Sequence, residues 1–179
     1  MGDISKTLEL CYAGDFDGAL GPRYLARQAA DRSHFNHQET TMSKAIENLE
    51  GALKRAMATR PKIGGFPHLA ETLRRAGVTR NIWFLPACES LYLTDHGPVV
   101  SQGQPLASGM INVPLFNREA LIAALRIDQA GESTFPEFLA ASWRAGVVRY
   151  DVDFAERTAG YYGCNGEEYV EAYPAVDLP

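Results

Sequence analysis

A gap-free shift of 69 residues lays the chain on itself. Phe66-Pro67 then falls on Phe135-Pro136, the run Arg75-Ala76-Gly77-Val78 on Arg144-Ala145-Gly146-Val147, and Arg80 on Arg149. Further on, Tyr92 meets Tyr161 and Gly97 meets Gly166. Identities at one offset, gathered at glycine and proline, where the backbone restricts the residue, point to a duplicated unit. Two copies are too few to stack as a solenoid, so they are expected to pack as pseudo-symmetric halves of one domain.

The unit is clearest over Ser133 to Tyr162. Ser133 or Thr134 can accept a backbone N–H at a helix start, and Pro136 suits the first turn, where its missing donor costs nothing. Phe138, Leu139, Ser142 and Trp143 recur at helical spacing. Gly146 suits the left-handed residue that ends a helix, with Val147 as the apolar residue beyond it. Val148, Tyr150, Val152 and Phe154 then alternate with Arg149, Asp151 and Asp153, which places the apolar set on a core and the charged set toward water or a ligand.

Read in order, residues 1–41 differ from the rest. Ile4 to Tyr12 and Arg23 to Ala30 suit short helices, and the polar run Asp31 to Thr41 reads as a linker. Met42-Ser43 resembles a fresh start, so the natural domain is expected to span 42–173, with repeats at about 43–100 and 112–173. Ser43 to Ala58 carries an apolar stripe of Ala45, Ile46, Leu49, Ala52, Leu53, Ala56 and Met57. Phe66 to Ala76 is a second helix. Thr79 to Leu85, Ser90 to Thr94 and Val99-Val100 follow as strands, the first without alternation, as suits a strand buried on both faces or meeting a partner. Leu106 to Val113 reads as a strand and Pro114 to Gln129 as a helix, with Leu115, Leu121, Ile122, Leu125 and Ile127 on its apolar side. After the Ser133 unit, Cys164-Asn165-Gly166 is turn chemistry, Glu167 to Tyr173 a last strand and 174–179 a tail.

The succession of helix, hydrophobic hairpin, crossover, helix, STFPEF, RAGVVRYDVDF and YYGCNGEEY resembles the YbcV/YdfO-like bacterial and prophage domain family, often labelled phage envelope protein. The likeness covers about Met42 to Tyr173 and is strongest over Ser133 to Tyr162. It implies a small α+β domain, and no activity, cofactor or catalytic residue.

Composition narrows the function. A formal net charge of −5 argues against broad binding to a phosphate backbone, so no nucleic-acid partner is expected. No apolar run approaches the roughly 20 residues of a membrane span. Cys11, Cys88 and Cys164 are odd in number and far apart, as in free thiols of a reducing compartment, hence a cytoplasmic expectation. His34 and His37 lie in a polar stretch without partner ligands, and Asp15 and Asp17 lack the acidic residue that would complete a calcium loop. No metal, cofactor or catalytic residue is assigned. His68 and His96 have no nucleophile at a motif spacing, and Cys88 and Cys164 have no activating neighbour in sequence. The best polar cluster is Arg149, Asp151, Asp153 and Glu156; the first three share a strand face, and Arg157 and Tyr162 would meet them across the hairpin.

These readings give an α+β domain of two helix-helix-hairpin repeats, whose strands form one antiparallel sheet with helices packed on one face. The expected function is a non-enzymatic binding or regulatory module for a protein or small molecule. It would use the exposed sheet face or a groove between the repeats, with Arg149, Asp151, Asp153, Arg157 and Tyr162 as binding residues. The alternative is a small enzyme with Asp151 or Asp153 as acid/base groups in that groove. A homodimer completed by strand addition at the Trp83 strand is compatible with either. Limited proteolysis should trim the chain to a stable fragment beginning near residue 40, located by mass spectrometry; protection throughout the first 41 residues would contradict the expected boundary.

Overall fold

The computed structural model describes residues 43–178. The expectations for 1–41, among them Cys11, Asp15, Asp17, His34 and His37, lie outside the described residues. Two helices, α1 (Lys44–Thr59) and α2 (Gly65–Arg75), precede three strands, β1 (Val78–Phe84), β2 (Glu89–Thr94) and β3 (Val99–Gln102). The same order follows again as α3 (Arg118–Gln129), α4 (Phe135–Arg144), β4 (Arg149–Asp153), β5 (Thr158–Tyr162) and β6 (Glu168–Ala172). The strands make one six-stranded antiparallel sheet in the order β3-β2-β1-β4-β5-β6. The α+β class is therefore observed.

Local chemistry sets the element ends. At the start of α4, Thr134 and Glu137 form a reciprocal capping box, which satisfies two of the helix's orphan N–H groups. At its end Gly146 has φ 82°, the Gly146 N–H donates to the Trp143 carbonyl and the Val147 N–H donates to that of Ser142. This pair of bonds is the Schellman stop. Asn117 caps α3 by accepting from the Ala120 N–H.

Alternation then sorts the sheet into two faces. Asn81, Trp83, Ser90, Tyr92, Tyr150, Val152, Ala159 and Tyr161 are all buried on one side. They share a core with Leu49 and Ala52 of α1, Leu73 of α2, Leu121 of α3, and Phe138 and Leu139 of α4. Trp83 is its centre, stacked on Tyr150 at 6.0 Å and edge-on to Phe135 at 5.2 Å. Its indole N–H donates to Asn81 Oδ1 at 2.8 Å, and Asn81 in turn donates to Ser90 Oγ at 2.7 Å, so the polar atoms of this dry layer are matched. The opposite face carries Phe84, Val100 and Val170 at 40–61% exposure, and the described helices pack on the other side.

Three expectations are corrected. Leu106 to Val113 is not a strand: 103–117 is an irregular crossover, with Met110, Ile111, Val113 and Leu115 exposed. Its apolar residues imitate a strand pattern, but its first N–H groups, those of Leu106 and Ala107, donate to the Pro86 carbonyl instead of to a neighbouring strand. Helix α3 begins at Arg118, not Pro114, because Asn117 supplies the cap and Leu115 lies outside the helix. The Trp83 strand cannot add a partner's strand, since β1 is central and bonded on both sides, to β2 and β4. Among the described residues, the edge strands are β3 and β6.

Gly146 is the backbone position with least freedom. A Cβ there would stand 2.5 Å from the Leu115 carbonyl oxygen and 2.6 Å from Phe116 Cα, both main chain, whereas a Cβ at Gly166, also left-handed, would meet nothing within 4 Å. Both alanine variants incur the left-handed cost of roughly 1–2 kcal/mol. Chemical denaturation should show Gly146→Ala to be clearly the less stable of the two, because the collision adds to that cost; equal losses would disprove the close packing of the crossover on α4.

Candidate functional site

The uncovered sheet face gathers its charged groups at the middle, where β1 and β4 pair. Ile82 and Asp151, themselves 69 residues apart, are direct partners there. Asp151 is only 6% exposed although its side chain lies on the face away from the helices. A buried carboxylate needs a cation. Arg80 Nη2 donates to both of its oxygens, at 3.1 and 3.2 Å, while the nearest nitrogen of Arg149 stays 4.0 Å away.

Arg149 is held differently. It pairs across the strands with Tyr162, and its guanidinium sits 4.3 Å above that ring, a cation–π contact. The Tyr162 side chain runs back over Gly160, where a Cβ would come 2.5 Å from the tyrosine hydroxyl, so the glycine makes room for the ring. Arg149 Nε is buried and has no hydrogen-bond partner.

Arg149 and Tyr162 form one wall of an open cavity of about 560 Å³. The segment ending β1, from Phe84 through Pro86 and Ala87, forms another, and the turn after β5, with Gly163, Gly166 and Glu167, completes it. The walls meet because the Leu85 N–H donates to the Val148 carbonyl and the Val148 N–H to that of Tyr162, which lock the three segments in register. The Glu167 carboxylate is tied down by the Asn165 N–H at 2.7 Å. Those backbone bonds, that from Asn165 first, hold its carboxyl below the usual range, so it is ionised at neutral pH.

Of the five binding candidates, Arg149, Asp151 and Tyr162 come together. Asp153 shares their face but its Oδ1 accepts the Ala155 and Glu156 N–H groups, shaping the β4–β5 turn. Arg157 does not join them, which corrects the hairpin expectation. Its backbone is left-handed at φ 53°, and its guanidinium lies 4.0 Å from Glu71 of α2, on the helix-covered side. Asp151, expected to face water or a ligand, is instead buried and held by Arg80, with Arg149 4.0 Å away. Sequence reasoning missed Arg80, whose superposition on Arg149 at the shift of 69 was the available signal. It also missed Phe84, Ala87 and Glu167, which only the tertiary fold brings near Arg149. Among the described residues no group of histidines, cysteines or carboxylates could hold a metal ion, and no helix is long and apolar enough to cross a membrane.

Comparison with known proteins gives the family. The chain belongs to the family described as "Protein of unknown function (DUF1398)", whose model matches residues 54–171. Uncharacterized proteins of Mycobacterium bovis and Mycobacterium tuberculosis are each 57% identical to it over 136 residues, covering 76% of this chain and 83% of the relative. The matched span contains every residue of the cavity.

Glu71, which anchors Arg157, accepts from Arg74 at 2.8 and 2.9 Å and from Arg75 at 3.0 Å. The Arg74 bonds, opposed by burial and aided by Arg75, bring its pKa from 4.5 down to about 2. A lowered carboxyl contributes stability above its unfolded pKa and loses it as pH falls through the folded one. Thermal unfolding should therefore show wild type losing its advantage over Glu71→Gln between about pH 4.5 and pH 2. A difference that stays constant over that window would refute the arginine clamp.

Proposed function

We propose that this member of the DUF1398 family is a binding module that holds a small molecule in the cavity beside Arg149. The observation that carries this reading is the contrast between two arginines 69 residues apart. Arg80 holds both oxygens of Asp151 at 3.1 and 3.2 Å, whereas Arg149, 4.0 Å from the same carboxylate and partly exposed, stands on the wall of a preformed cavity. Preformed concave sites with apolar walls and one convergent polar group are the usual form of small-molecule sites, and 560 Å³ lies within their range. The cavity also falls where the two expected repeats meet, its walls coming from the β1 end of one and the β4–β6 segments of the other.

A binding role fits the carboxylates better than acid/base catalysis. Asp151 is held through both oxygens by Arg80, Asp153 accepts two turn N–H groups through Oδ1, and neither lines the cavity. The likeness of STFPEF and RAGVVRYDVDF to the YbcV/YdfO-like domains is consistent with a small binding domain; the envelope label has no counterpart in this site. A cytoplasmic setting agrees with three cysteines that are odd in number and far apart in the sequence.

The test is a thermal-shift screen of the full chain against a fragment library that contains neutral, cationic and anionic compounds. Stabilising fragments are expected, and Ala87→Trp, which fills the cavity, should abolish their effect. A library that stabilises nothing, or hits that stabilise Ala87→Trp equally, would overturn the reading.

A further inference from the structure

Building on the cavity as a ligand site, we infer that its ligand is a small organic monocarboxylate with a flat apolar body. The charges on the uncovered face lead there. Arg80 and Arg149 flank a single buried carboxylate, and Arg80 takes it: both Asp151 oxygens lie within 3.2 Å of Arg80, against 4.0 Å to the nearest Arg149 nitrogen. One positive charge is left over, at the cavity wall. A guanidinium matches a carboxylate in shape, offering parallel N–H donors to two oxygens in one plane.

The remaining walls select the rest of the ligand. Phe84, Pro86, Ala87 and Val148 offer hydrocarbon, and Gly163 and Gly166 offer bare backbone, so the body that follows the carboxylate is apolar. The Arg149–Tyr162 stack presents a flat surface beside which a planar group packs without steps. Glu167 sets the charge limit. It lines the same cavity, forms no ion pair with Arg149, and is kept ionised by the backbone N–H groups it accepts. One cation facing one fixed anion tolerates a monoanion and repels a phosphate dianion.

Calorimetric titration of the full chain with naphthylacetate and its neutral isostere naphthylacetamide tests this. The acid is expected to bind about tenfold or more tightly than the amide, the margin of a charge-assisted hydrogen bond. Arg149→Gln should reduce the acid to the level of the amide, erasing the preference between the two. Arg149→Lys, which keeps the charge and loses the fork, should retain part of the preference. The comparison of acid with amide on wild type stands even where a variant folds poorly. Equal binding of acid and amide, both lost in Ala87→Trp, would leave the cavity as a ligand site and overturn the carboxylate. Failure of the acid while neutral or cationic fragments bind would do the same. Failure of every fragment would remove the site and this inference with it. A peptide with a C-terminal aromatic residue that binds more tightly than naphthylacetate would overturn the small-molecule assignment in favour of a chain terminus.

Discussion

The pairing of β1 with β4 is the contact on which the rest depends. Each strand already has a hairpin partner, β2 for one and β5 for the other, and apart from each other each would present an unpaired edge. Joining the two bare edges makes one six-stranded sheet and brings Trp83 onto Tyr150. The four helices then share one aromatic core. Truncating an aromatic side chain so placed costs about 3–5 kcal/mol, a large fraction of the stability of a domain this size. The same pairing sets Asp151 opposite Ile82 and so buries a carboxylate between two arginines. The central strand pair thus fixes both the hydrophobic layer on one face and the electrostatic arrangement on the other.

Much of this was legible because it was local. The α+β class and the strands followed from apolar runs between turn residues, with alternation explicit over Val148 to Phe154, and the helix ends from Thr134, Pro136 and Gly146, whose chemistry acts within a few residues. The failures have a common cause. Leu106 to Val113 has the composition of a strand, but the segment turns away from the sheet after β3, and its Leu106 and Ala107 N–H groups go to the Pro86 carbonyl rather than to a strand ladder. The Trp83 strand seemed to want a foreign partner because its own partner, β4, lies some 70 residues further along the chain. Arg157 was placed on the wrong side because alternation assumes regular strand geometry, and its left-handed backbone breaks the alternation at the turn.

The site shows the same division between local and distant information. Arg149 and Tyr162 were found because they face one another across a hairpin that sequence alone can draw. Their significance was not readable, because it depends on what Arg80 does to Asp151 from the other half of the chain. Asp151 alone would have neutralised either arginine. Its carboxylate turns toward Arg80, and Tyr162 takes up Arg149 instead, where position 93, the residue 69 before Tyr162, is a leucine that offers no cation–π face. Two positions that superpose in sequence therefore carry unlike charges in effect, one compensated and one not.

That asymmetry decides which end of the sheet can act as a site. The equivalent place beside Arg80 has Asp153 where the cavity has Phe84, and Glu156 where it has Ala87, so acidic residues stand where the cavity has hydrocarbon. A symmetric protein would present two like surfaces or none. Here one arginine is committed to holding the central strands' buried carboxylate and the other is left beside an apolar hollow. The central carboxylate thus falls to Arg80 and the cavity wall to Arg149, two residues that superpose at the shift of 69.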